Sequence, residues 1–298
     1  MTHVATLISD PAKPALDDAA IALAVGVLTT AQGVRVLDPG IAVDLPFTPS
    51  GADDQAVAQR LQAALGGLRI DVVVQPLASR RKRLFVADMD STMIGQECID
   101  ELADYVGLKA HEAAITERAM RGEIAFEPAL RERVALLKGL PVAVVDEVIE
   151  KRITLTPGGR TLVATMRRKG ATTCLVSGGF TLFTSRVGAM IGFDENRGNT
   201  LVVEDDKLAG RVEEPILGRE AKLATLVELR ERLGLAPSDT LAAGDGANDL
   251  AMIEAAGLGV AYHAKPKVAE AAHARIDHGD LTALLYLQGY KREEFVEV

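Results

Sequence analysis

The sequence predicts a two-part α/β protein, in which a small α+β segment precedes a doubly wound, mainly parallel sheet with a helical insertion after its first strand. From Leu84 onward, short apolar runs alternate with stretches of helical spacing, as in parallel sheets covered by helices on both faces. Residues 95–152 interrupt this alternation, because their apolar residues recur at helical spacing. We therefore expect an accessory domain in residues 1–78, a core in 84–94 and 153–290, and a helical cap in 95–152.

Length and composition are typical of an ordinary globular protein of two or three domains. The chain has 298 residues, of which 48% are apolar and 25% charged. Its net charge of -9 argues against general affinity for nucleic acid or anionic membranes. We find neither the roughly 20 apolar residues of a membrane span nor a secretory signal. Two widely separated cysteines, Cys98 and Cys174, fit a reducing cytoplasm.

The first 78 residues follow the order strand, helix, strand, strand, helix, strand. The helices are expected at 17–28, opened by Asp17 as a cap, and at 53–65, closed by Gly66-Gly67. The strands are expected at 3–8, 34–38, 41–45 and 70–75. This order is ferredoxin-like and resembles an ACT-type regulatory module. An accessory or dimerisation domain without a ligand of its own is an equally good interpretation.

A basic cluster, Arg80-Arg81-Lys82-Arg83, follows this segment. Because no aromatic residues are interleaved with it, we interpret it as a solvated linker or strand lead-in rather than a nucleic-acid patch.

The core begins with a buried strand at Leu84–Ala87 that leads into Asp88 and Asp90. Side chains two positions apart in an extended segment point to the same side, so the two carboxylates should emerge together. Like charges this close repel unless a cation lies between them, and oxygen ligands favour Mg²⁺. One carboxylate can then attack an electrophile while the other transfers a proton. Taken alone, these residues are also compatible with an ordinary Asp/Ser turn.

The insertion is expected to form four helices, at 97–106, 109–121, 126–138 and 142–151, with breaks at Gly107, Gly122 and Gly139-Leu140-Pro141. Its position places it over the carboxylates, where a lid can exclude water from a reaction. Glu97 and Arg133 are its notable charges, although most charges on amphipathic helices are simply solvated.

A second core strand begins at Thr172 and ends in Ser177-Gly178-Gly179, where glycines let backbone N–H groups approach a phosphate oxygen closely. A simple strand-to-helix turn is the alternative. Lys222 lies in the first turn of a helix at 219–233, where the helix dipole disfavours a cation. Surface lysines are common, so this position alone decides nothing.

A third core strand at 240–244 leads into Asp245 and Asp249, which we place four apart at the start of a helix and facing one point. These segments can all reach one sheet edge, and together they supply what phosphoryl transfer requires. The other expected elements are a helix at 159–169, a hairpin at 200–204 and 207–212, a strand at 258–262, a helix from Lys265-Pro266 through Ala272, a strand near 275–277 and a helix at 280–290.

Four ordered segments resemble the motifs of the haloacid dehalogenase-like (HAD) superfamily. They are Asp88-Met89-Asp90-Ser91-Thr92, Ser177-Gly178-Gly179-Phe180, Lys222 and Gly244-Asp245-Gly246-Ala247-Asn248-Asp249. Glu97, the helix with Phe126 and Arg131-Glu132-Arg133-Val134, and Ala264-Lys265-Pro266 are similar to those of the phosphoserine phosphatase family. The likeness covers about residues 84–288, and Met89 stands where the family commonly has phenylalanine.

The resemblance implies a Rossmann-like HAD core and Mg²⁺-dependent hydrolysis of O-phospho-L-serine to L-serine and phosphate, the last step of serine biosynthesis. It implies that Asp88 is the nucleophile and Asp90 the general acid and base. Asp88, the backbone carbonyl of Asp90 and Asp245 would hold Mg²⁺, with Asp249 supporting them. Ser177, Gly178 and Lys222 would bind the phosphate, and Asn248 would lie against the phosphoryl group or the substrate.

Phosphoserine also has an ammonium and a carboxylate, and the cap offers one residue of each opposite charge. We expect Glu97 to bind the ammonium and Arg133 to bind the carboxylate bidentately. Met120 and Phe126 are candidates for the pocket wall, although either is also compatible with ordinary packing within the lid.

Two other functions stay open at this point. One is a HAD phosphatase or phosphotransferase acting on another small phosphomonoester, and the other is an amino-acid-sensing regulatory protein with a vestigial catalytic core. The expected partner is a small-molecule substrate rather than nucleic acid or membrane, and a homodimer is compatible with the sequence.

Overall fold

The N-terminal part is an antiparallel four-stranded sheet with two helices. The computed structural model describes residues 1–28, 30–49, 51, 53–120 and 123–298, with the backbone alone for Ala119 and Met120. The sheet has the order β2-β3-β1-β4, which is the predicted ferredoxin-like arrangement. Asp17 caps the first helix, as expected, because its side chain accepts a hydrogen bond from the Ala20 N–H at 2.8 Å. The elements are β1 His3–Ser9, α1 Asp18–Val27, β2 Arg35–Asp38, β3 Ala42–Phe47, α2 Asp54–Ala64 and β4 Ile70–Pro76.

The cap consists of four helices between the first two strands of the core. They are α3 Cys98–Tyr105, α4 Lys109–Met120, α5 Phe126–Leu136 and α6 Ala143–Arg152, and they follow strand β5 Leu84–Asp88. The four predicted helices are therefore present. Arg121 and the predicted break at Gly122 lie outside the described residues. An irregular turn, Met89–Met93, connects β5 to the cap segment. It is closed by a hydrogen bond from the Ile94 N–H to the Met89 carbonyl, but Asp90 within it is extended.

The core is a six-stranded parallel sheet in the order β12-β11-β10-β5-β6-β7. This confirms the predicted α/β fold. Its remaining elements, together with an antiparallel hairpin β8-β9, are α7 Gly159–Arg168, β6 Thr172–Phe180, α8 Thr181–Ile191, β7 Glu195–Asn199, β8 Leu201–Glu204, β9 Lys207–Val212, α9 Arg219–Arg232, β10 Thr240–Gly244, α10 Leu250–Ala255, β11 Leu258–Tyr262, α11 Pro266–Ala271, β12 Ala274–Ile276 and α12 Ala283–Leu287.

Alternate side chains of the central strand β5 enter different hydrophobic clusters, so helices cover both faces of the sheet. Leu84 and Val86 pack with Leu226 and Leu229 of α9. Phe85 and Ala87 belong to the larger cluster, which includes residues of α7 and α8. This alternation is the doubly wound arrangement that the sequence predicted.

A strand and a helix of the core differ from the prediction. Strand β7 was not predicted, because its sequence Glu-Asn-Arg-Gly-Asn has no apolar run; it is an edge strand, which has only one neighbour. The helix expected at 280–290 is shorter and spans Ala283–Leu287. Across the described ranges, none of the helices combines the length and apolar character that crossing a membrane requires.

The basic cluster between the two parts is not simply solvated, contrary to the prediction. The Arg80 side chain is buried and donates two hydrogen bonds to Asp44 of β3 and one to the Leu287 carbonyl at 2.9 Å. Lys82 is also buried and donates to the Ser79 and Ser238 carbonyls. Burial is tolerated because each charge has oxygen partners, at least one of which comes from a distant segment that the sequence order does not reveal.

Candidate active site

The predicted site residues meet at the carboxyl end of the parallel sheet, where β5, β6 and β10 lie side by side. The cap faces this edge and encloses a cleft of about 360 Å³. Eight of the ten residues singled out in the sequence line it: Asp88, Asp90, Glu97, Arg133, Ser177, Gly178, Asp245 and Asn248. The other two, Lys222 and Asp249, are buried and contact Asp88 or each other.

Lys222 lies at the bottom of the site, beneath Asp88. Its ammonium is 2.7 Å from Asp88 Oδ1 and 2.6 Å from Asp249 Oδ1, and the side chain is only 2% exposed. Burial lowers the pKa of Lys222, but the two carboxylates outweigh this effect and raise it, so the lysine is charged. The two ion pairs explain why a cation is tolerated near the amino end of α9.

The pKa of the buried Asp88 carboxyl is shifted by its burial and by three charged neighbours. Burial raises its pKa well above the ordinary value, Lys222 opposes this shift, and the charges of Asp249 and Asp90 add to it. Such a group favours a further cation nearby, because a positive charge restores the ionised form.

The carboxylates of Asp88 and Asp245, with that of Asp249 beside them, form an acidic cluster that fits a divalent metal ion. Each offers one oxygen, and these oxygens all lie within 4.8 Å of one another. Burial and the charge of Asp249 also raise the pKa of Asp245. Three carboxylates this close are typical of sites for hard cations such as Mg²⁺.

Asp249 immediately precedes α10 and is not part of the helix. The expectation that Asp245 and Asp249 share a helix is wrong, because α10 begins only at Leu250 and both residues lie in the preceding turn. Asp249 already accepts two hydrogen bonds, from Lys222 to Oδ1 and from the Gly246 N–H to Oδ2 at 3.0 Å. A Cβ on Gly244 would lie 2.4 Å from Asp249 Cγ, so glycine is needed for this approach.

Asp90 is held separately from the three clustered carboxylates. It lies in the turn Met89–Met93 that follows β5, where Ser91 adopts a left-handed conformation with φ 55°. Its Oδ1 accepts a hydrogen bond from the Cys98 N–H, and its Oδ2 accepts one from the Ser177 hydroxyl, both at 2.8 Å. The turn and these two donors therefore fix the carboxyl beside Asp88, in a position suited to proton transfer.

Ser177 connects Asp90 to the end of β6. The Ser177 hydroxyl donates to Asp90 and accepts a hydrogen bond from the Gly179 N–H at 2.8 Å. Ser177 is buried, whereas Gly178 is partly open to the cleft. The predicted anion-binding segment thus lies next to both catalytic candidates.

The two cap charges reach the cleft from different helices. Glu97 immediately precedes α3 and accepts a hydrogen bond from the Ser91 hydroxyl at 2.7 Å. Although the residue is exposed, desolvation of its carboxyl and the charge of Asp90 raise the pKa of that group to about 7. Arg133, on α5, is partly buried and lies 3.4 Å from Glu112 of α4.

Sequence reasoning missed part of the cap side of the cleft. Asp100 and Thr116 line it, and the buried Glu112 lies behind them. The spacing of Leu108, Glu112 and Ile115 places Glu112 on the apolar stripe of α4, a signal that could have identified it. Phe126 lines the cleft as expected, whereas the side chain of Met120 lies outside the described part of the chain.

Comparison with known proteins identifies the family. The family model for haloacid dehalogenase-like hydrolases matches residues 85–254. A phosphoserine phosphatase from Polaromonas sp. is 48% identical over 226 residues, which are 74% of this chain and 96% of that protein. A phosphoserine phosphatase from Streptomyces coelicolor is 41% identical over 280 residues, 89% of this chain and 68% of that one.

Solved structures extend the likeness to nearly the whole chain. The crystal structure of a HAD family hydrolase from Salmonella enterica serovar Typhi has a TM-score of 0.86 and 31% identity, and covers 96% of this chain and 98% of its own. A probable phosphoserine phosphatase from Vibrio cholerae has a TM-score of 0.79 and 30% identity, and covers 97% of this chain and 87% of its own. The chain belongs to the haloacid dehalogenase-like hydrolases and, within them, to the phosphoserine phosphatase family.

Proposed function

We propose that this protein hydrolyses O-phospho-L-serine to L-serine and phosphate, the last step of serine biosynthesis, through a phosphorylated aspartate. The observation that supports this most strongly is one cleft that contains the Asp88 and Asp90 pair together with Glu97 and Arg133. The first pair suits phosphoryl transfer, and the second pair matches the two charged groups of an amino acid.

In the first step, Asp88 attacks phosphorus and forms an oxygen–phosphorus bond while the bond to the serine oxygen breaks. Asp90 donates its proton to this departing oxygen, since an alkoxide is a poor leaving group. In the second step, Asp90 takes a proton from water, and the water oxygen displaces Asp88 from phosphorus. Both side chains return to their starting state.

The phosphate oxygens are bound by Ser177, the Gly178 N–H and Lys222 in this proposal. Lys222 already lies 2.7 Å from Asp88, so its charge is available where negative charge accumulates during transfer. Asn248, at the exposed edge of the same cleft, contacts the phosphoryl group or the substrate.

We further propose that the metal is Mg²⁺, held by Asp88, the backbone carbonyl of Asp90 and Asp245. Residues around the site would hold the ion where it would supply positive charge that offsets the phosphate and the neighbouring carboxylates. Asp249 orients these groups rather than binding the metal, because both its oxygens already accept hydrogen bonds.

Substrate recognition assigns the ammonium to Glu97 and the carboxylate to Arg133. A guanidinium can bind a carboxylate through two parallel hydrogen bonds, which gives geometry as well as attraction. Phe126 lines the same cleft and supplies apolar contact for the short carbon chain of serine.

The test is phosphate release from L-phosphoserine with and without Mg²⁺. We expect turnover by the unmodified protein with Mg²⁺ and a loss of at least about 1,000-fold in Asp88→Asn. Brief incubation followed by acid quenching should recover the phosphoryl group on the unmodified protein but not on Asp88→Asn. Undiminished turnover by Asp88→Asn would contradict the proposal.

A substrate panel distinguishes phosphoserine from other small phosphomonoesters. Glu97→Ala and Arg133→Ala should reduce kcat/KM for phosphoserine by at least about 10-fold more than for an aryl phosphate, which has neither an ammonium nor a carboxylate. Equal losses on both substrates would count against these two roles.

The proposal also includes the domain limits, the cellular location and the oligomeric state. The accessory domain spans residues 1–78, the core 84–94 and 153–290, and the cap 95–152 in this proposal, and the protein is a cytoplasmic homodimer. Both cysteines are buried free thiols, which is compatible with a reducing compartment. Size-exclusion chromatography with light scattering tests the dimer.

A further inference from the structure

The cap contains a buried carboxylate that the proposed mechanism does not use. Glu112 of α4 is only 3% exposed. A glutamate is rarely buried this completely unless it is paired, so its neighbours indicate what it does. The Thr116 hydroxyl donates to Glu112 Oε1 at 2.6 Å, and Arg133 Nη1 lies 3.4 Å from the same oxygen.

Arg133 is held incompletely by these contacts. Its Nη1 is at 3.4 Å from Glu112 and 3.5 Å from the Thr116 hydroxyl, both long for hydrogen bonds. Its Nε is buried and has no hydrogen-bond partner within the described part of the chain. A guanidinium offers five donors, so Arg133 retains unused capacity for a planar anion.

The cluster contains more carboxyl groups than cations. Asp100 also faces it, and burial together with the charge of Glu112 raises the pKa of Asp100 to about 6, while Arg133 opposes the shift. Two carboxylates therefore surround one guanidinium before any substrate enters. A substrate carboxylate that approaches Arg133 is the third acid on the same cation and must compete with the other two for its N–H donors.

We propose that Glu112 is a specificity-determining residue that acts through Arg133, occupying part of the guanidinium and weakening its attraction for the substrate carboxylate. The inference rests on the proposed function, because it assumes that Arg133 binds that carboxylate. Glu112 thereby keeps Arg133 paired when the cleft holds no substrate and limits the affinity for phosphoserine.

The test is Glu112→Gln, which removes the charge but keeps the size and the oxygen that accepts from Thr116. We expect KM for phosphoserine to fall by about 3- to 10-fold, because competition for Arg133 is relieved. KM for an aryl phosphate should not change, since that substrate has no carboxylate. Glu132→Gln is the matched control, because Glu132 adjoins Arg133 in sequence but its side chain is 44% exposed and pairs with Arg118.

A second variant separates action through Arg133 from a general structural effect. In an Arg133→Ala background, Glu112→Gln should leave KM for phosphoserine unchanged, because the guanidinium is absent. Thermal unfolding of each variant confirms that it is folded at the assay temperature.

The outcomes for the two proposals differ. If the unmodified protein does not hydrolyse phosphoserine, the proposed function is wrong and the inference falls with it. If it does, but Glu112→Gln leaves KM unchanged or raises it, the inference alone is overturned. An equal fall in KM for both substrates, or a fall that persists in the Arg133→Ala background, would also overturn it.

Discussion

At the residue scale, one buried lysine lies between two buried acids at the bottom of the cleft and offsets their charges. Lys222 is the only positive group among the described residues with ion pairs to both Asp88 and Asp249. Removing one partner of a buried ion pair leaves a buried charge without its counter-charge. This lowers the free energy of unfolding more than the loss of a surface pair does.

Lys222→Met should therefore affect stability as well as catalysis. In metal-free buffer we expect the free energy of unfolding to fall by about 3–5 kcal/mol. Turnover with Mg²⁺ should fall at least about 100-fold. Urea denaturation measures the first effect, and Lys169→Met, at a surface lysine whose side chain is 40% exposed, is the control. If Asp88→Asn combined with Lys222→Met destabilises by the sum of the two single changes, the residues are not coupled.

Glu97 should make substrate binding depend on pH. Since the pKa of its carboxyl is raised to about 7, Glu97 becomes neutral as pH falls through that value and loses its attraction for an ammonium. We expect KM for phosphoserine, relative to KM for an aryl phosphate, to rise between pH 8 and pH 6. The ratio cancels the titration of the phosphate group, which both substrates share.

Glu97→Gln is the control for this pH dependence. The ratio should be higher than in the unmodified protein at pH 8 and constant over the same range. A ratio that still changes with pH in Glu97→Gln would assign the titration to another group.

At the scale of elements, the site depends on how closely helices and strands approach each other. A Cβ on Gly259 of β11 would lie 2.0 Å from the Ile253 carbonyl oxygen of α10. Backbone atoms cannot rotate away as a side chain can, so any larger residue must separate the helix from the sheet. The helix follows the turn that contains Asp245 and Asp249.

Gly259→Ala should lower the free energy of unfolding by at least about 2 kcal/mol. Gly26→Ala is the matched substitution, because a Cβ there meets nothing within 4 Å and the residue lies in α1. We expect it to stabilise the protein by about 0.5–1 kcal/mol. Thermal and urea unfolding measure both, and similar changes in the two variants would contradict this account of β11 and α10.

At the scale of the whole molecule, the N-terminal sheet is joined to the core by buried polar contacts as well as apolar packing. One face of the sheet packs against α1 and α2, while Ile8, Ala42 and Val73 belong to the main hydrophobic cluster of the core. Asp71 of β4 accepts hydrogen bonds from the N–H groups of residues 277–279. We expect the two parts to unfold together.

Arg80→Met tests this junction. It leaves Asp44 buried without its cation, so the free energy of unfolding should fall by about 3–5 kcal/mol. The neighbouring Arg81→Met should change it by less than about 1 kcal/mol, because that side chain is 47% exposed. Fluorescence and circular dichroism during urea unfolding report both. Equal effects at 80 and 81 would mean that Arg80 does not join the two parts.

The local sequence pattern was sufficient to predict most strands and helices of this protein. Apolar alternation and helical spacing predicted the strands and helices of both parts, because these periods reflect which face of an element is buried. The ordered motifs also indicated the residues that meet in the cleft. The polar edge strand β7 escaped prediction, since a strand with one neighbour needs little apolar surface.

Contacts between distant segments decided the rest. The burial of Arg80 depends on Asp44 and Leu287, and the charged state of Lys222 depends on two carboxylates from other elements. The cluster of Glu112, Asp100 and Arg133 likewise joins three cap helices. The sequence by itself determined which elements form and which side chains have the chemistry; only the tertiary structure decided which charges are buried together, because desolvation and pairing depend on groups brought from elsewhere in the chain.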